Sequence, residues 1–190
     1  MKLIKTKIEG VVILEPRLFT DERGYFCVTH NKQQLDALLG HEITFVQDNQ
    51  SRSKAGVVRG LHYQQHPYAQ LKLVRVVRGK ILDVAVDIRR GSPTFGHYVG
   101  VELSEDNHRQ LFIPRGFAHG FAVLEGDAIV EYKCDNDYSP AAERTIAWND
   151  PDIGIEWGLD TERVIISEKD ADGFALRDAE LFDYNEDYYA

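Results

Sequence analysis

The sequence predicts an all-β fold, an antiparallel sandwich or closed barrel with a few short helices. Between residues 44 and 148, runs of alternating apolar and polar residues follow one another, separated by turns that bear Gly, Pro, Asn or Asp. Before the C-terminal region, only residues 31–39 have the spacing and end signals of a helix. Many short strands with regular turns are typical of sandwiches and barrels.

The N-terminal segment is predicted to form two short strands and a charged turn. Residues 3–8 and 11–14 flank Gly10, and Pro16 ends the second strand. The charged turn at residues 21–24 then leads into an aromatic strand.

One helix is predicted to follow this segment. Asn31 is placed as its N-cap, Leu35, Leu38 and Leu39 share one stripe, and Gly40 gives the C-terminal stop.

The main body of the fold is predicted to consist of consecutive strands. They span residues 44–49, 57–63, 71–77, 80–88, 97–103, 110–113, 117–124, 128–134 and 144–148. After Pro151 the alternation weakens into a loop-rich tail, with a short helix around residues 168–176. Without a linker, repeat or low-complexity segment, residues 1–190 are expected to form a single domain.

Composition limits the class of partner. The chain has 190 residues, of which 43% are hydrophobic, and carries a formal net charge of −9, which argues against nucleic acid or an anionic membrane as a partner. No apolar stretch approaches the length that spans a bilayer. The two cysteines lack metal-ligand spacing, and a reducing cytoplasm is the expected location.

Strand alternation indicates which polar side chains lie on apolar faces. It places His62 with Val58, and it places Lys72 and Tyr132 on otherwise apolar sides of their strands. In residues 80–88, Asp83 lies on a mixed face. Polar groups on apolar faces need partners, so each of these residues is either structural or part of a site. The structural alternatives are a hydrogen-bonded core histidine, a lysine that reaches water, and a tyrosine whose hydroxyl reaches the surface.

Two motifs resemble those of the cupin superfamily of jelly-roll barrels. Gly56 and His62, with the later hairpin glycine Gly79, fit the first motif. The pattern Pro-x-Gly-x-x-His in IPRGFAHGF, which ends at His119, fits the second. Metal-binding cupins have a second histidine where this chain has Gln64, and they have a glutamate that residues 65–70 do not supply. His62 and His119 alone are too few for a tight metal site, so we expect a jelly roll without a metal.

A wider set of motifs resembles the dTDP-4-dehydrorhamnose 3,5-epimerase family over roughly residues 1–180. The motifs are DERG, QDN, RGLHYQ, QLKLVRVVRGKILDVAVDIRRGSPTFG, IPRGFAHGF, EYK and SEKD. The resemblance implies a cofactor-free cupin homodimer that inverts C3 and C5 of a dTDP-4-keto-6-deoxyhexose on the way to dTDP-rhamnose. By the same resemblance, His62 is the general base, Asp170 supports it, and Tyr132 is the general acid.

The residue types suit this chemistry. A C–H next to a ketone is a weak acid that neutral His62 can deprotonate, with a carboxylate to support the imidazolium. The resulting enolate needs a cation, for which Lys72 is the natural partner. Tyr132 can return a proton to the other face of the sugar, which inverts the carbon.

The resemblance also implies a set of binding residues. Arg23 and Arg59 would bind the substrate diphosphate or nearby oxygens, and Tyr138 would stack on the thymine. His119 could hydrogen-bond the sugar, oriented by Asp83, or could be a core histidine. The other binding positions are Gln47, Asp48, Asn49, Glu143 and Lys169. Strict alternation puts Arg59 opposite His62, so either Gly60 introduces a bulge or Arg59 serves a site shared with another subunit.

One departure from the family pattern bears on the substrate. Val28 occupies the position where the family has a glutamate that contacts substrate, and a valine accepts no hydrogen bond. This departure bears on the precise substrate more than on the reaction type, and an epimerase acting on C3 or C5 alone stays open. Two alternatives of other classes also stay open: a metal-dependent cupin enzyme and a non-catalytic binding module.

Overall fold

The computed structural model describes residues 1–189, and over that range the predicted all-β fold with short helices is confirmed. The strands are β1 (Lys2–Lys5), β2 (Val12–Glu15), β3 (Leu18–Asp21), β4 (Gly24–Cys27), β5 (Gln47–Ser53), β6 (Val58–Gln64), β7 (Lys72–Asp87), β8 (Arg89–Arg90), β9 (Tyr98–Ser104), β10 (Gln110–Ile113), β11 (Phe117–Cys134), β12 (Glu143–Thr145) and β13 (Phe182–Asp183). The α-helices are α1 (Lys32–Leu39) and α2 (Glu168–Ala171), and 3-10 helices span Thr161–Arg163 and Leu176–Asp178.

A nine-stranded antiparallel sheet forms the body of the fold. Its order is β1-β2-β10-β7-β11-β6-β12, with β5 paired to β11 and β9 paired to β7. Strands β3 and β4 form a separate hairpin, and β8 pairs in parallel with β13 from the C-terminal segment. The two long central strands, β7 and β11, pair with each other; β7 also pairs with β9 and β10, and β11 also pairs with β5 and β6.

The prediction that β7 and β11 are each two strands is wrong. Each runs unbroken through its predicted turn, and the ladder between them shifts register between Val123 and Val130. Gly79 permits this bend because it has φ +81° and because a Cβ there would lie 2.6 Å from the carbonyl oxygen of Asp127. At the positions where the sequence pattern predicts turns, both strands bend and continue to pair.

The predicted first helix is confirmed in its ends, but only part of its predicted stripe is covered: Leu39 is partly buried and Leu38 is exposed. The Asn31 side chain accepts a hydrogen bond from the Gln34 N–H, Gly40 closes the helix at φ +81°, and Leu35 is buried. The C-terminal helix is shorter than predicted, because Gly173 packs with its Cα against the backbone of Ala147 and the chain leaves the helix there. Among the described residues, no helix is long and apolar enough to cross a membrane.

The predicted alternation in β7 divides its side chains between two hydrophobic clusters. Ile81 and Ala85 pack in the barrel core with Val130 of β11. Residues of the opposite face pack in an outer cluster, which the C-terminal segment covers; it contains Val84, Val86, Ile88, Trp157, Leu176 and Phe182. The polar residues His62, Lys72 and His119 line one cavity, which adjoins the barrel core at Phe121.

Candidate active site

A bulge in β6 decides which of its side chains line the cavity. The ladder between β6 and β11 pairs His62 with His119 and Arg59 with Phe121, so the register shifts between them. As a result Arg59 and His62 line the same cavity, whereas Val58 packs in the outer cluster. The expectation that Val58 and His62 share a face is therefore wrong, and the bulge at Gly60 is the reason.

Replacing Gly60 with alanine is expected to lower the free energy of unfolding by about 3 kcal/mol. Gly60 has φ +113°, and a Cβ there would lie 2.6 Å from the Cα of Gly120. Urea denaturation measures the loss. The matched control is Gly40→Ala, which shares a positive φ but has nothing within 4 Å, and should lose only about 1 kcal/mol. Equal losses in the two variants would contradict the close approach.

His62 and Asp170 form a hydrogen-bonded pair at the cavity wall. The His62 Nε2 and the Asp170 Oδ1 are 2.5 Å apart, and the second Asp170 oxygen accepts the Gly60 N–H at 3.2 Å. Asp170 is held on α2, whose N-cap is Ser167, and its side chain is buried. Burial opposes ionisation, but the hydrogen bonds from His62 and Gly60 outweigh it and hold the pKa of Asp170 below its ordinary value.

Asp170 should therefore stabilise the fold only above acidic pH. A carboxyl whose pKa is lowered by folding contributes stability above its unfolded pKa, about 3.9, and loses it as the pH falls through the folded value. We expect the difference in unfolding free energy between wild type and Asp170→Asn to be constant above about pH 5 and to shrink below about pH 4. Urea denaturation from pH 7 to pH 3 tests this, with Asp106→Asn on an exposed turn as the control.

Lys72 and Tyr132 extend the inward-facing rows of β7 and β11 to the cavity, as predicted. The Lys72 Nζ lies 5.9 Å from the centre of the Tyr132 ring. Burial raises the pKa of Tyr132, although the nearby charge of Arg59 lowers it. Burial also lowers the pKa of Lys72. The cavity thus holds a protonated phenol beside an amine whose charge is costly until an anion arrives.

His119 forms a second histidine–carboxylate pair, deeper than the first. Its Nε2 lies 2.7 Å from the Oδ1 of Asp83, and both side chains are buried. Burial lowers the pKa of His119, and Lys72 and His62 add to that effect while Asp83 opposes it. The geometry agrees with the expectation that Asp83 orients His119.

These elements enclose a cavity of about 350 Å³. Its lining residues include the predicted site residues Gln47, Asn49, Arg59, His62, Lys72, His119, Tyr132, Tyr138 and Glu143. Asp170 is reached through His62. At the rim, Glu143 accepts the Tyr138 hydroxyl at 2.7 Å and lies 2.5 Å from the Nζ of Lys169. Burial opposes ionisation of Glu143, but its bonds with Lys169 and Tyr138 lower its pKa overall.

Three predicted binding residues are not among the lining residues of this cavity, and one of them, Lys169, contacts its rim through Glu143. Asp48 alternates to the other face of β5, where it binds the Lys133 ammonium at 2.8 Å. Arg23 lies at the tip of the β3–β4 hairpin, where it pairs with Asp21 and is exposed. Both positions follow from the strand geometry of this chain.

Metal ligands are scarce in the described structure. No group of three or more His, Cys, Asp or Glu side chains in residues 1–189 is arranged to hold a metal ion. His62 and His119 are each paired with a carboxylate from a different part of the chain.

Comparison with known proteins places the chain in a family. The family model for dTDP-4-dehydrorhamnose 3,5-epimerase matches residues 5–178. The chain belongs to the dTDP-4-dehydrorhamnose 3,5-epimerase family. A dTDP-4-dehydrorhamnose 3,5-epimerase from Shigella flexneri is 52% identical over 182 residues, covering 96% of this chain and 99% of the relative. The family expected from the motifs is thus confirmed, and with it the class of enzyme, an epimerase.

Solved epimerase structures share the fold. A dTDP-6-deoxy-D-glucose-3,5-epimerase from Legionella pneumophila, crystallised with dTDP-4-keto-L-rhamnose, is similar with a TM-score of 0.93 and 47% identity, covering 97% of this chain and 99% of that one. A 3'-monoepimerase from Streptomyces bikiniensis, in complex with dTDP-quinovose, gives a TM-score of 0.88 and 34% identity, covering 94% and 92%. The predicted jelly-roll fold of these epimerases is confirmed.

The epimerase cavity also contains residues that the sequence analysis missed. Ser51, Gln64, Gln70 and Phe121 line it. Ser51 could have been found, because it continues the two-residue period of Gln47 and Asn49 along β5. Gln70 precedes β7 and carried no such signal.

Proposed function

We propose that the chain epimerises C3 and C5 of dTDP-4-keto-6-deoxy-D-glucose, giving dTDP-4-keto-L-rhamnose, by general acid and base catalysis without a metal. The observation that carries the proposal is the joint placement of three groups in one cavity: His62 backed by a buried carboxylate, a half-buried tyrosine, and Lys72. These are the groups that enolisation next to a ketone requires.

The first step is removal of a proton from the carbon beside the ketone. Ionised Asp170 accepts the Nε2–H of His62, which leaves the lone pair on Nδ1 to take the substrate proton. The imidazolium that forms is then stabilised by the carboxylate 2.5 Å away.

The negative charge that develops on the C4 oxygen is stabilised by Lys72. The Lys72 ammonium has no carboxylate within ion-pair distance among residues 1–189, so it is available to the enolate. Because burial makes its charge costly, an enolate oxygen stabilises Lys72 as much as Lys72 stabilises the enolate.

Tyr132 then returns a proton to the carbon from the other face of the sugar. Burial raises its pKa, so its hydroxyl remains protonated at neutral pH and can donate. It projects from β11, whereas His62 projects from β6, which supports delivery from a different direction.

The alternative is epimerisation at one carbon only, and the similarity to a 3'-monoepimerase supports considering it. Borohydride reduction of the product, followed by sugar analysis, separates the two. We expect L-rhamnose among the reduced sugars. Products that retain the D configuration at C5 would support the single-site reaction at C3 and would make Val28→Glu the next variant to measure.

We further propose that the enzyme is a cytoplasmic homodimer. The β3–β4 hairpin exposes aromatic side chains, with Phe19 50% and Phe26 65% exposed. Exposed apolar surface of this kind is typical of an interface, here with a second copy of the chain. In such a dimer, Arg23 at the hairpin tip would exchange its exposed pairing with Asp21 for the diphosphate of the partner's substrate. The free cysteines Cys27 and Cys134 support a reducing compartment.

The double variant Phe19→Ser/Phe26→Ser is expected to convert the dimer to a monomer. It removes apolar area that the partner would cover, without touching the barrel core. Light scattering after size-exclusion chromatography gives the mass. The control is Tyr184→Ser, an exposed aromatic outside the hairpin, which should leave the dimer intact. A wild-type monomer, or a double variant that stays dimeric, would contradict this assignment.

A further inference from the structure

Arg59 is a cation in the cavity wall without a neutralising partner. It lines the cavity, and among residues 1–189 no carboxylate lies within ion-pair distance of its guanidinium. Its backbone direction is fixed by the bulge at Gly60, but the long arginine side chain still has several rotatable bonds. Something else must therefore hold the guanidinium against the wall.

Two groups at the end of β5 hold one edge of this guanidinium. The hydroxyl of Ser53 accepts the Arg59 Nε–H at 2.9 Å, and the carbonyl oxygen of Arg52 lies 3.4 Å from Nη2. Ser53 is 5% exposed and is not itself a lining residue of the cavity. The Ser53 hydroxyl therefore does not contact the substrate, and its hydrogen bond is with Arg59.

We infer that Ser53 is a positioning residue, whose buried hydroxyl fixes the Arg59 guanidinium so that its remaining N–H groups face the cavity and bind the diphosphate of the substrate. This inference rests on the proposed function. An arginine fixed along one edge is preorganised to present the other edge to a phosphate, and no side-chain freedom is lost when the ligand arrives. Ser53 thus contributes to substrate affinity without contacting substrate.

Ser53→Ala is expected to raise KM for the dTDP-4-keto sugar about tenfold and to leave kcat within about twofold, because the variant weakens ground-state binding. The matched control is Ser104→Ala. Ser104 is equally buried, at 3% exposure, and its hydroxyl accepts the Asn107 N–H at 3.1 Å, away from the cavity. A general loss of stability would affect both serine variants, whereas a positioning role affects only Ser53.

A double-mutant cycle tests whether Ser53 acts through Arg59. Calorimetric titration with dTDP is carried out on wild type, Ser53→Ala, Arg59→Ala and the double variant. We expect Ser53→Ala to weaken dTDP binding about tenfold alone but less than about twofold in the Arg59→Ala background. Equal effects in both backgrounds, or wild-type affinity in Ser53→Ala, would overturn the inference.

Failure of this inference is distinguishable from failure of the proposed function. If the wild-type enzyme epimerises the keto sugar while Ser53→Ala behaves as wild type, the positioning role of Ser53 is contradicted and the proposed function stands. If the wild-type enzyme leaves the keto sugar unchanged, the proposed function falls, and the dTDP cycle still reports whether Ser53 acts through Arg59.

Discussion

Replacing His62 with asparagine is expected to slow epimerisation at both carbons by about 10²–10⁴-fold. Asparagine retains a donor for Asp170, but its amide nitrogen is not a base at neutral pH. Because the same side chain is proposed to remove both protons, the exchange of C3 and C5 hydrogens with solvent should fall together. Proton NMR of the dTDP-4-keto sugar in D2O measures both rates in one experiment.

The control for this variant is His97→Asn, an exposed histidine outside the cavity. It should exchange both protons at the wild-type rate. A loss of less than about tenfold in His62→Asn would exclude His62 as the base, since proton transfer to a positioned side chain contributes more than that.

Replacing Tyr132 with phenylalanine is expected to separate proton exchange from inversion. His62 and Lys72 remain, so deuterium should still enter from the original face, at a rate within about tenfold of wild type. Inverted product should fall by about 10²-fold or more, because the acid on the other face is missing. Comparing deuterium content with product configuration gives both quantities.

Tyr98→Phe is the matched control, because the Tyr98 hydroxyl accepts the backbone N–H of Glu156, and Tyr98 does not line the cavity. It should change neither quantity. If Tyr132→Phe inverted the sugar at the wild-type rate, another group would be the acid. If it lost exchange as completely as His62→Asn, Tyr132 would be needed for proton removal.

Strand alternation predicts the face on which a side chain lies only where the strand is regular. Lys72 and Tyr132 lie in unbroken stretches of β7 and β11, so a period of two placed them on inward faces. The same rule failed at β6, because one bulge shifts the phase and brings Arg59 to the side of His62. A bulge depends on tertiary contact between Gly60 and Gly120, which no local pattern reports.

Contacts between residues far apart in sequence could not be predicted from the residue pattern, for a different reason. Asp170 meets His62 across 108 positions of sequence, from a short helix outside the sheet, so only the likeness to a family indicated the pair. Arg23 was also beyond the reach of alternation within the sheet, because it lies on the β3–β4 hairpin, which is not hydrogen-bonded into the nine-stranded sheet. Alternation says which way a side chain points but not which distant element it meets.

The most direct test of the central claim is proton NMR of dTDP-4-keto-6-deoxyglucose with EDTA-treated wild-type enzyme in D2O. We expect the C3 and C5 signals both to disappear at the rate seen before chelation, because histidine, tyrosine and lysine side chains carry the reaction. Persistence of both signals after chelation, with exchange restored by added metal, would contradict the claim.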